Sequence, residues 1–318
     1  MLRRWLHSEH LVLGLTLVGF VLLAPITPGL ATRENLANVL LTLLPLLVLA
    51  CGQTVVLITG GIDLSACAIM AMSSVVGGLA MNGDTGWLTG SPGATPVGVL
   101  LMLGVGLAIG AFNGLAVAGL RMPPFMVTLT GMMFFGGLAI WLTRSETIYN
   151  LPSTFNALGG RLPWATATAG GLALAVHLLL SRTMYGRWLY ALGHNPRMAC
   201  VSGVPVGIVT AGAYVLSGLL AAAAAVLYTG QAETASPFLG QRLLLDVIAA
   251  TVIGGTSLFG GRGKVHGTVV GVLFIKLLDN SLNLLNCSFF TLTMVKGAAV
   301  LAAALLDATR RRWLEAET

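Results

Sequence analysis

Charged residues are scarce in this chain of 318 residues: lysine, arginine, aspartate and glutamate together make up only 9% of it. Soluble domains contain about 25%. So few charges cannot cover the surface of a water-soluble protein of this length, which excludes that class. Hydrophobic residues reach 56%, and the 41 glycines suit helices that pack closely in a bilayer. The composition therefore predicts an all-α, polytopic membrane protein.

Motifs for catalysis and metal binding are missing as well. The sequence contains neither HExxH nor GxSxG, and its five histidines lack the spacing of metal ligands. Residues 260–264 resemble a phosphate-binding loop, but Val265 stands where Ser or Thr is required, and Leu258 where the first glycine is required. The four cysteines form no CxxC pair, which supports neither disulfides nor zinc; they are Cys51, Cys67, Cys200 and Cys287. We expect no enzyme activity, no cofactor and no ATP site in this chain.

Long apolar runs cover most of the sequence. A helix needs about 20 apolar residues to cross the hydrocarbon core, which divides the chain into about ten spans. Their approximate limits are 11–29, 36–59, 64–81, 97–119, 125–142, 164–180, 207–229, 243–260, 267–285 and 290–307. We interpret the first run as a retained span because no cleavage pattern precedes Pro25. Residues 1–318 then form a single transmembrane domain.

The basic residues favour one orientation of these spans. With a cytoplasmic N-terminus, the inside segments carry Arg3, Arg4, Arg121, Arg182, Arg187, Arg197, Arg262, Lys264, Arg310, Arg311 and Arg312. The outside loops carry only Arg33, Arg144, Arg161 and Arg242. This asymmetry is the positive-inside bias of membrane proteins. Both termini are therefore predicted to be cytoplasmic.

Spans two to five and seven to ten form two groups of four, separated by the sixth. The offset of five spans would give the groups opposite orientations, as in the inverted repeats of transporters. A weak similarity between Ile58-Thr-Gly-Gly61 and Ile253-Gly-Gly-Thr256 favours such a duplication. In the fourth span, glycines recur every four residues, at Gly106, Gly110 and Gly114, which is typical of a helix face packed against a neighbour.

A polar row lies on one face of the ninth span: Lys276, Asp279, Asn280, Asn283 and Asn286. Lys276 and Asp279 could pair within the helix. Polar groups inside spans are costly, so such a row favours a hydrated substrate pathway over hydrogen bonds that only hold helices together. Weaker candidates for the pathway are Gln53, Asn113 and Thr128, and Lys296 is interpreted as extending toward an interface.

The longest cytoplasmic stretch outside the spans runs from about 181 to 206. Gly186 and Gly193 are predicted to break helices there, and Asn195-Pro196 to begin a short helix near 196–202. The stretch is either an ordinary basic linker or a docking surface for a cytoplasmic partner. Small residues, Ala191 and Ala199, would let that partner approach closely.

Several segments resemble the ribose type of sugar ABC permease. In the second half these are residues 186–195 (GRWLYALGHN) with Ala199, Ser202 and Gly203, residues 245–263 (LDVIAATVIGGTSLFGGRG) and residues 278–285 (LDNSLNLL). In the first half they are residues 52–53 (GQ), 60–65 (GGIDLS), 113–114 (NG) and 123–125 (PPF). The motifs run in order along most of the chain. Leu245, Ala66-Cys67-Ala68 and Asp279 depart from the family pattern, which leaves the sugar open.

The resemblance implies a bacterial inner-membrane importer made of separate parts. A periplasmic binding protein delivers a monosaccharide, this permease pairs with a second copy or a sister permease, and a separate ATPase binds ATP and Mg. The family's ATPase-docking loop corresponds to Gly186, Arg187, Ala191, Gly193, Asn195, Ala199 and Gly203. The substrate pathway would involve Gln53, Asn113, Asp279, Asn280 and Asn283.

The alternative is an ion-coupled secondary sugar transporter. That class needs carboxylates buried at mid-membrane, for which Asp279 is the one good candidate. It has no need of a docking element for an ATPase. An intramembrane enzyme is disfavoured by the missing nucleophile and metal ligands, and an ion channel by the lack of a ring of like charges.

Overall fold

The computed structural model describes residues 10–288, 290–298, 301–302 and 305. Twelve helices have the following bounds: α1 His10–Leu23, α2 Arg33–Ile58, α3 Ala66–Met81, α4 Ala94–Ala118, α5 Pro124–Thr143, α6 Ser153–Gly160, α7 Leu162–Arg182, α8 Met184–His194, α9 Pro196–Val201, α10 Val206–Ala232, α11 Leu243–Ile253 and α12 Val265–Leu284. Residues 290–298 are helical too. Within the described residues there is no β-sheet, only an isolated antiparallel bridge between Ile148 and Ala235.

Helix lengths confirm an all-α membrane protein. Six helices are long and apolar enough to cross a bilayer: α2, α4, α5, α7, α10 and α12. The other four predicted spans coincide with shorter helices, namely α1, α3, α11 and residues 290–298. The count of ten spans therefore stays a prediction. Arg3, Arg4 and Arg310–Arg312, which the charge argument used, lie outside the described residues.

Helix α10 lies at the centre of the bundle and packs against α2, α3, α4 and α6. The glycines of α4 face it, as predicted. A Cβ atom added to Gly110 would lie 2.6 Å from the carbonyl oxygen of Tyr214, and one added to Gly114 would lie 2.6 Å from that of Ala211. Because the two backbones are almost in contact, any side chain at these positions would push α4 and α10 apart.

The connections between helices gather at two ends of the bundle. At the end that we name the α9 end, the turn after α2 meets the turn after α11, where the Gly261 N–H donates to the Ile58 carbonyl at 2.8 Å. At the opposite end, the Gly83 N–H donates to the Asn150 carbonyl, and the Ile148 N–H to the Ala235 carbonyl, both at 2.8 Å. The helices that run between the two ends, from α2 to α5 and then α7, α10, α11 and α12, therefore alternate in direction, in agreement with the alternation of predicted spans.

Candidate functional site

Helices α8 and α9 form a compact pair at the α9 end. The Asn195 side-chain oxygen accepts hydrogen bonds from the backbone N–H groups of Arg197 (3.0 Å) and Met198 (3.1 Å) and so caps α9. Pro196 occupies the first helical position, where its missing N–H costs nothing. The chain turns away at Gly203, whose φ is +81°. The short helix predicted near 196–202 is confirmed.

Two glycines of this segment act differently from the prediction. Gly186 and Gly193 were expected to break helices, but both lie inside α8. A Cβ atom at Gly186 would overlap the carbonyl oxygens of Leu179 and Leu180, and one at Gly193 would overlap the carbonyl oxygen of Ile58. These positions lack side chains because the α8 backbone lies directly against α7 and the end of α2.

Two tyrosines of α8 tie it to the bundle. The Tyr190 hydroxyl donates to the Gly263 carbonyl at 2.7 Å, and the Tyr185 hydroxyl donates to the Val209 carbonyl at 3.0 Å. Burial raises the pKa of Tyr185 to about 12 and raises the pKa of Tyr190 as well, so both hydroxyls stay protonated and can donate. Helix α8 is therefore fixed to α10 and to the turn after α11.

The predicted docking residues differ in exposure. Arg187, Asn195 and Gly203 are exposed, whereas Ala191 and Gly193 are partly buried. Gly186 is buried, and Ala199 is only 4% exposed. The small side chain of Ala199 thus allows close packing within the chain itself and does not lie open to a partner.

The structure brings to the surface two side chains that the sequence argument missed. Met198 and Val201 are 61% and 84% exposed on α9. They are three residues apart, so they lie on the same face of this short helix. The signal was present in the sequence: two large apolar residues in a polar, basic stretch outside the spans.

The two ends of the bundle differ in net charge, because only the end opposite α9 balances its exposed arginines (Arg33, Arg144, Arg161 and Arg242) with acidic residues. Exposed basic residues of the α9 end are Arg121, Arg182, Arg187, Arg197, Arg262 and Lys264. The exposed acidic residues of the described chain all lie at the opposite end; they are Glu34, Asp84, Glu146 and Glu233. The α9 end therefore presents a basic surface around an apolar helix face.

A buried carboxylate lies just inside the α9 end, in the turn between α2 and α3. Asp63 is fully buried; one carboxylate oxygen accepts from the Ser65 N–H (2.9 Å) and hydroxyl (2.6 Å), and the other accepts from the Ser217 hydroxyl (2.7 Å). The Asn113 amide donates to the Ser65 hydroxyl at 2.7 Å. This network connects the α2–α3 turn with α4 and α10. In the sequence, Asp63 is notable only as part of the motif GGIDLS at residues 60–65.

All three weaker pathway candidates, Gln53, Asn113 and Thr128, are fully buried. Both amide atoms of Gln53 and the side-chain oxygen of Asn113 have no hydrogen-bond partner among the described residues. Thr128 bonds to the carbonyl of Ile62 at 3.1 Å and to that of Pro124 at 3.0 Å, so it anchors α5 to the α2–α3 turn. Gln53 and Asn113 thus lie in the interior of one chain, and the structure shows no contact that assigns them to a pathway.

The polar row of α12 divides into two parts. Asn280 and Asn35 exchange two amide hydrogen bonds of 2.8 and 2.9 Å, which tie α12 to the start of α2. Asn283, one turn further along α12, is exposed, and so is Asn286 just beyond its end. The Asn280 amide is therefore occupied by a helix–helix contact, whereas Asn283 is open at the surface of the chain.

Lys296 joins two carboxylates from different helices. Its ammonium group lies 2.9 Å from Asp246 of α11 and 2.7 Å from Asp279 of α12. Pairing with two carboxylates stabilises the charge of Lys296 better than isolation among apolar helices would. The interpretation that Lys296 extends toward an interface stays a prediction. Asp279 is thus part of an ion cluster that links residues 290–298 to α11 and α12. Within the described residues, no group of three or more potential metal ligands is present.

The chain forms a bundle of long apolar helices, and at one end of it the basic helix pair α8–α9 is fixed to the bundle. This is the architecture of a membrane permease. The family model for branched-chain amino acid transport system permease components matches residues 35–305. The chain belongs to this family, and within it to the ribose-type sugar permeases of ABC transporters.

Curated relatives are similar over most of their length. The ribose import permease protein RbsC of Bacillus subtilis strain 168 is 37% identical over 297 residues, covering 90% of this chain and 88% of the relative. RbsC of Escherichia coli strain K12 is 33% identical, covering 96% and 95%. The xylose transport system permease protein XylH of the same strain is 31% identical, covering 88% and 86%. No solved structure matches this chain.

Proposed function

We propose that this chain is the membrane-spanning subunit of a bacterial inner-membrane importer that takes a monosaccharide from a periplasmic binding protein and releases it into the cytoplasm. The names of its relatives, which import ribose and xylose, support a sugar as the substrate. The chain functions with a second permease subunit, and a separate ATPase binds ATP and Mg. The α9 end then faces the cytoplasm, in keeping with its positive charge.

The observation that carries this proposal is the construction of the α8–α9 pair. Helix α9 presents Met198 and Val201 to solvent and also carries the exposed Arg197, and α8 of the same pair carries the exposed Arg187. Such an apolar centre with a charged rim is the usual composition of a protein–protein interface. Helix α8 behind it is fixed to α2, α7 and α10, so force applied to α9 by an ATPase reaches the spans.

We further propose ten spans and an inverted repeat. Helices α2 and α11 end at Ile58 and Ile253, the first residues of the two similar segments. Each helix is followed two residues later by a glycine with positive φ, Gly60 and Gly255. The two turns that follow lie against each other at the α9 end. Related turns that meet in this way support a duplication whose halves enclose the pathway.

We propose that the substrate pathway includes Asn283 and the face of α12 on which it lies. Asn283 is exposed in the single chain, so it can face a second permease subunit or a hydrated space between the two. We assign to Asn280 and Asp279 the positioning of α12 through their contacts with Asn35 and Lys296. Hydroxyl groups of a sugar would exchange hydrogen bonds with the free amide of Asn283.

The test uses charged substitutions on α9. In the variant Met198→Glu/Val201→Glu, we expect loss of ATPase co-purification and a fall in sugar uptake per ATP hydrolysed, because two carboxylates replace the apolar centre of the interface. Tyr149→Glu, at an exposed position of the opposite end, is the matched control and should keep both. Full coupling in the α9 variant would overturn the proposal, and uptake by the chain alone along an ion gradient would favour the secondary transporter.

A further inference from the structure

A cavity of about 570 Å³ opens beside α9 at the basic end. Its walls come from elements that are far apart in sequence. Thr59 to Gly61 belong to the α2–α3 turn, Arg121 and Met122 to the α4–α5 turn, Pro196 and Cys200 to α9, and Tyr214 to α10. Any group that fills this cavity would contact four elements at once.

The polar groups of the cavity favour an anion. Arg121 supplies a guanidinium group, and none of the residues that line the cavity is acidic. Arg121 is held at a φ of +54°, a left-handed conformation that is unusual for a long side chain. Tyr214 is fully buried, and its hydroxyl has no hydrogen-bond partner among the described residues. A buried donor without a partner is costly, so an incoming acceptor would recover that energy.

Most of the remaining wall is apolar, apart from Thr59 and Thr210. Val117, Met122, Leu192 and Val206 line the cavity together with the polar groups. A single carboxylate side chain would leave most of the volume unfilled, whereas a short protein segment with one acidic residue between apolar ones matches both the size and the lining. The cavity also borders α9, because Pro196 and Cys200 belong to that helix. These two residues lie on the side of α9 away from Met198 and Val201, so a partner in the cavity and a partner on the docking face would contact α9 from two sides.

We propose that this cavity receives an acidic, otherwise apolar segment of the ATP-binding subunit, whose carboxylate pairs with Arg121 and accepts from the Tyr214 hydroxyl. The inference rests on the proposed function and adds a second docking point to it. The segment would contact the α2–α3 turn, which carries the Asp63 network, and the α4–α5 turn. Movement of the ATPase would then act directly on α2 to α5 as well as through α8.

Thiol protection in the assembled importer distinguishes the two docking points. In a background without native cysteines, Val201→Cys reports on α9, and Met122→Cys, at a side chain that is 42% exposed, reports on the rim of the cavity. We expect the ATP-binding subunit to protect both thiols from a maleimide. If Val201→Cys is protected while Met122→Cys is labelled at the rate of the free permease, the cavity proposal is wrong. If neither is protected, the proposed function fails too.

Charge substitutions at Arg121 test the chemistry of the pairing. We expect Arg121→Glu to weaken binding of the ATP-binding subunit by about tenfold or more, as for loss of a partly buried ion pair, and Arg121→Lys to keep most of it. The salt dependence of binding should also be smaller in Arg121→Ala than in the wild type. Arg182→Glu, at a basic residue of the same end that does not line the cavity, is the control. An equal loss in Arg121→Glu and Arg182→Glu would reduce the effect to general electrostatics and overturn the proposal.

Discussion

Gly193 allows the docking segment to pack directly against α2 because it has no side chain. Its α-carbon lies so close to the end of α2 that an added Cβ would overlap the Ile58 carbonyl oxygen, which also accepts the Gly261 N–H. Backbone atoms cannot move aside as a flexible side chain can. The close approach of α8 to α2 therefore depends on this one residue.

We expect Gly193→Ala to destabilise the purified permease by about 1–3 kcal/mol, the usual cost of overpacking a tight contact. Gly207→Ala is the matched control, because nothing lies within 4 Å of a Cβ at that position. Thermal unfolding in detergent would measure both. A Gly193→Ala protein as stable as the control would mean that the contact with Ile58 relaxes at no cost. Because the effect arises within the permease, it should not require the ATPase.

Lys296 allows a second prediction at the scale of residues. Removing its ammonium group leaves Asp246 and Asp279 close together without a cation in contact with both. We expect Lys296→Met to destabilise the fold by about 3 kcal/mol or more, as when one partner of a buried ion pair is lost. Asp279→Asn should cost less in the Lys296→Met background than in the wild type, which a double-mutant cycle of unfolding free energies would show. Additive effects would contradict the pairing.

At the scale of elements, the asparagine pair separates helix packing from transport. Asn280→Leu leaves the Asn35 amide without its partner, and we expect a loss of about 1–2 kcal/mol of stability. Asn283→Leu should leave stability almost unchanged because its amide is exposed, but should lower sugar uptake by the assembled importer. Unfolding and uptake measured on the same preparations would decide between these roles. Normal uptake in Asn283→Leu would remove it from the proposed pathway.

The sequence predicts some elements well and others poorly, for physical reasons. The predicted spans coincide with helices because apolar length is a local property that bilayer thickness fixes. The start of α9 was predictable too, since Asn195 and Pro196 determine it through short-range hydrogen bonding and backbone geometry. The continuous course of α8 through Gly186 and Gly193 was not, because only tertiary contacts with α7 and α2 show why glycine is there.

In the candidate site, too, local features could be predicted from the sequence and features that depend on tertiary contacts could not. Arg187 and Arg197 could be identified as surface charges from their loop alone. The burial of Ala199, the exposure of Met198 and the ion cluster of Lys296 depend on which helix faces meet. The row on α12 showed that Asn280 and Asn283 share a helix face, but the partner of Asn280 lies 245 residues away in the sequence and no local pattern indicates it.

At the scale of the whole molecule, the distribution of charge makes a prediction about topology. The turns between helices fall into two sets. The set at the α9 end carries six exposed basic residues and, within the described chain, no exposed acidic one, whereas the opposite end carries four exposed arginines and four exposed carboxylates. Positive-inside bias acts on short loops next to spans, which is where most of these residues are. The α9 end should therefore face the cytoplasm, where an ATPase can reach it.

Single cysteines in a cysteine-free background test this orientation in intact cells. We expect Asp84→Cys, Glu146→Cys and Glu233→Cys to react with a membrane-impermeant maleimide added outside, because all three side chains are exposed at the opposite end. Arg187→Cys and Arg197→Cys should react only after the membrane is opened. Because the substituted residues are exposed at both ends, a difference in labelling between the two groups cannot be attributed to burial of the cysteines. Reaction of Arg187→Cys from outside would invert the topology, and with it the assignment of α9 to ATPase docking.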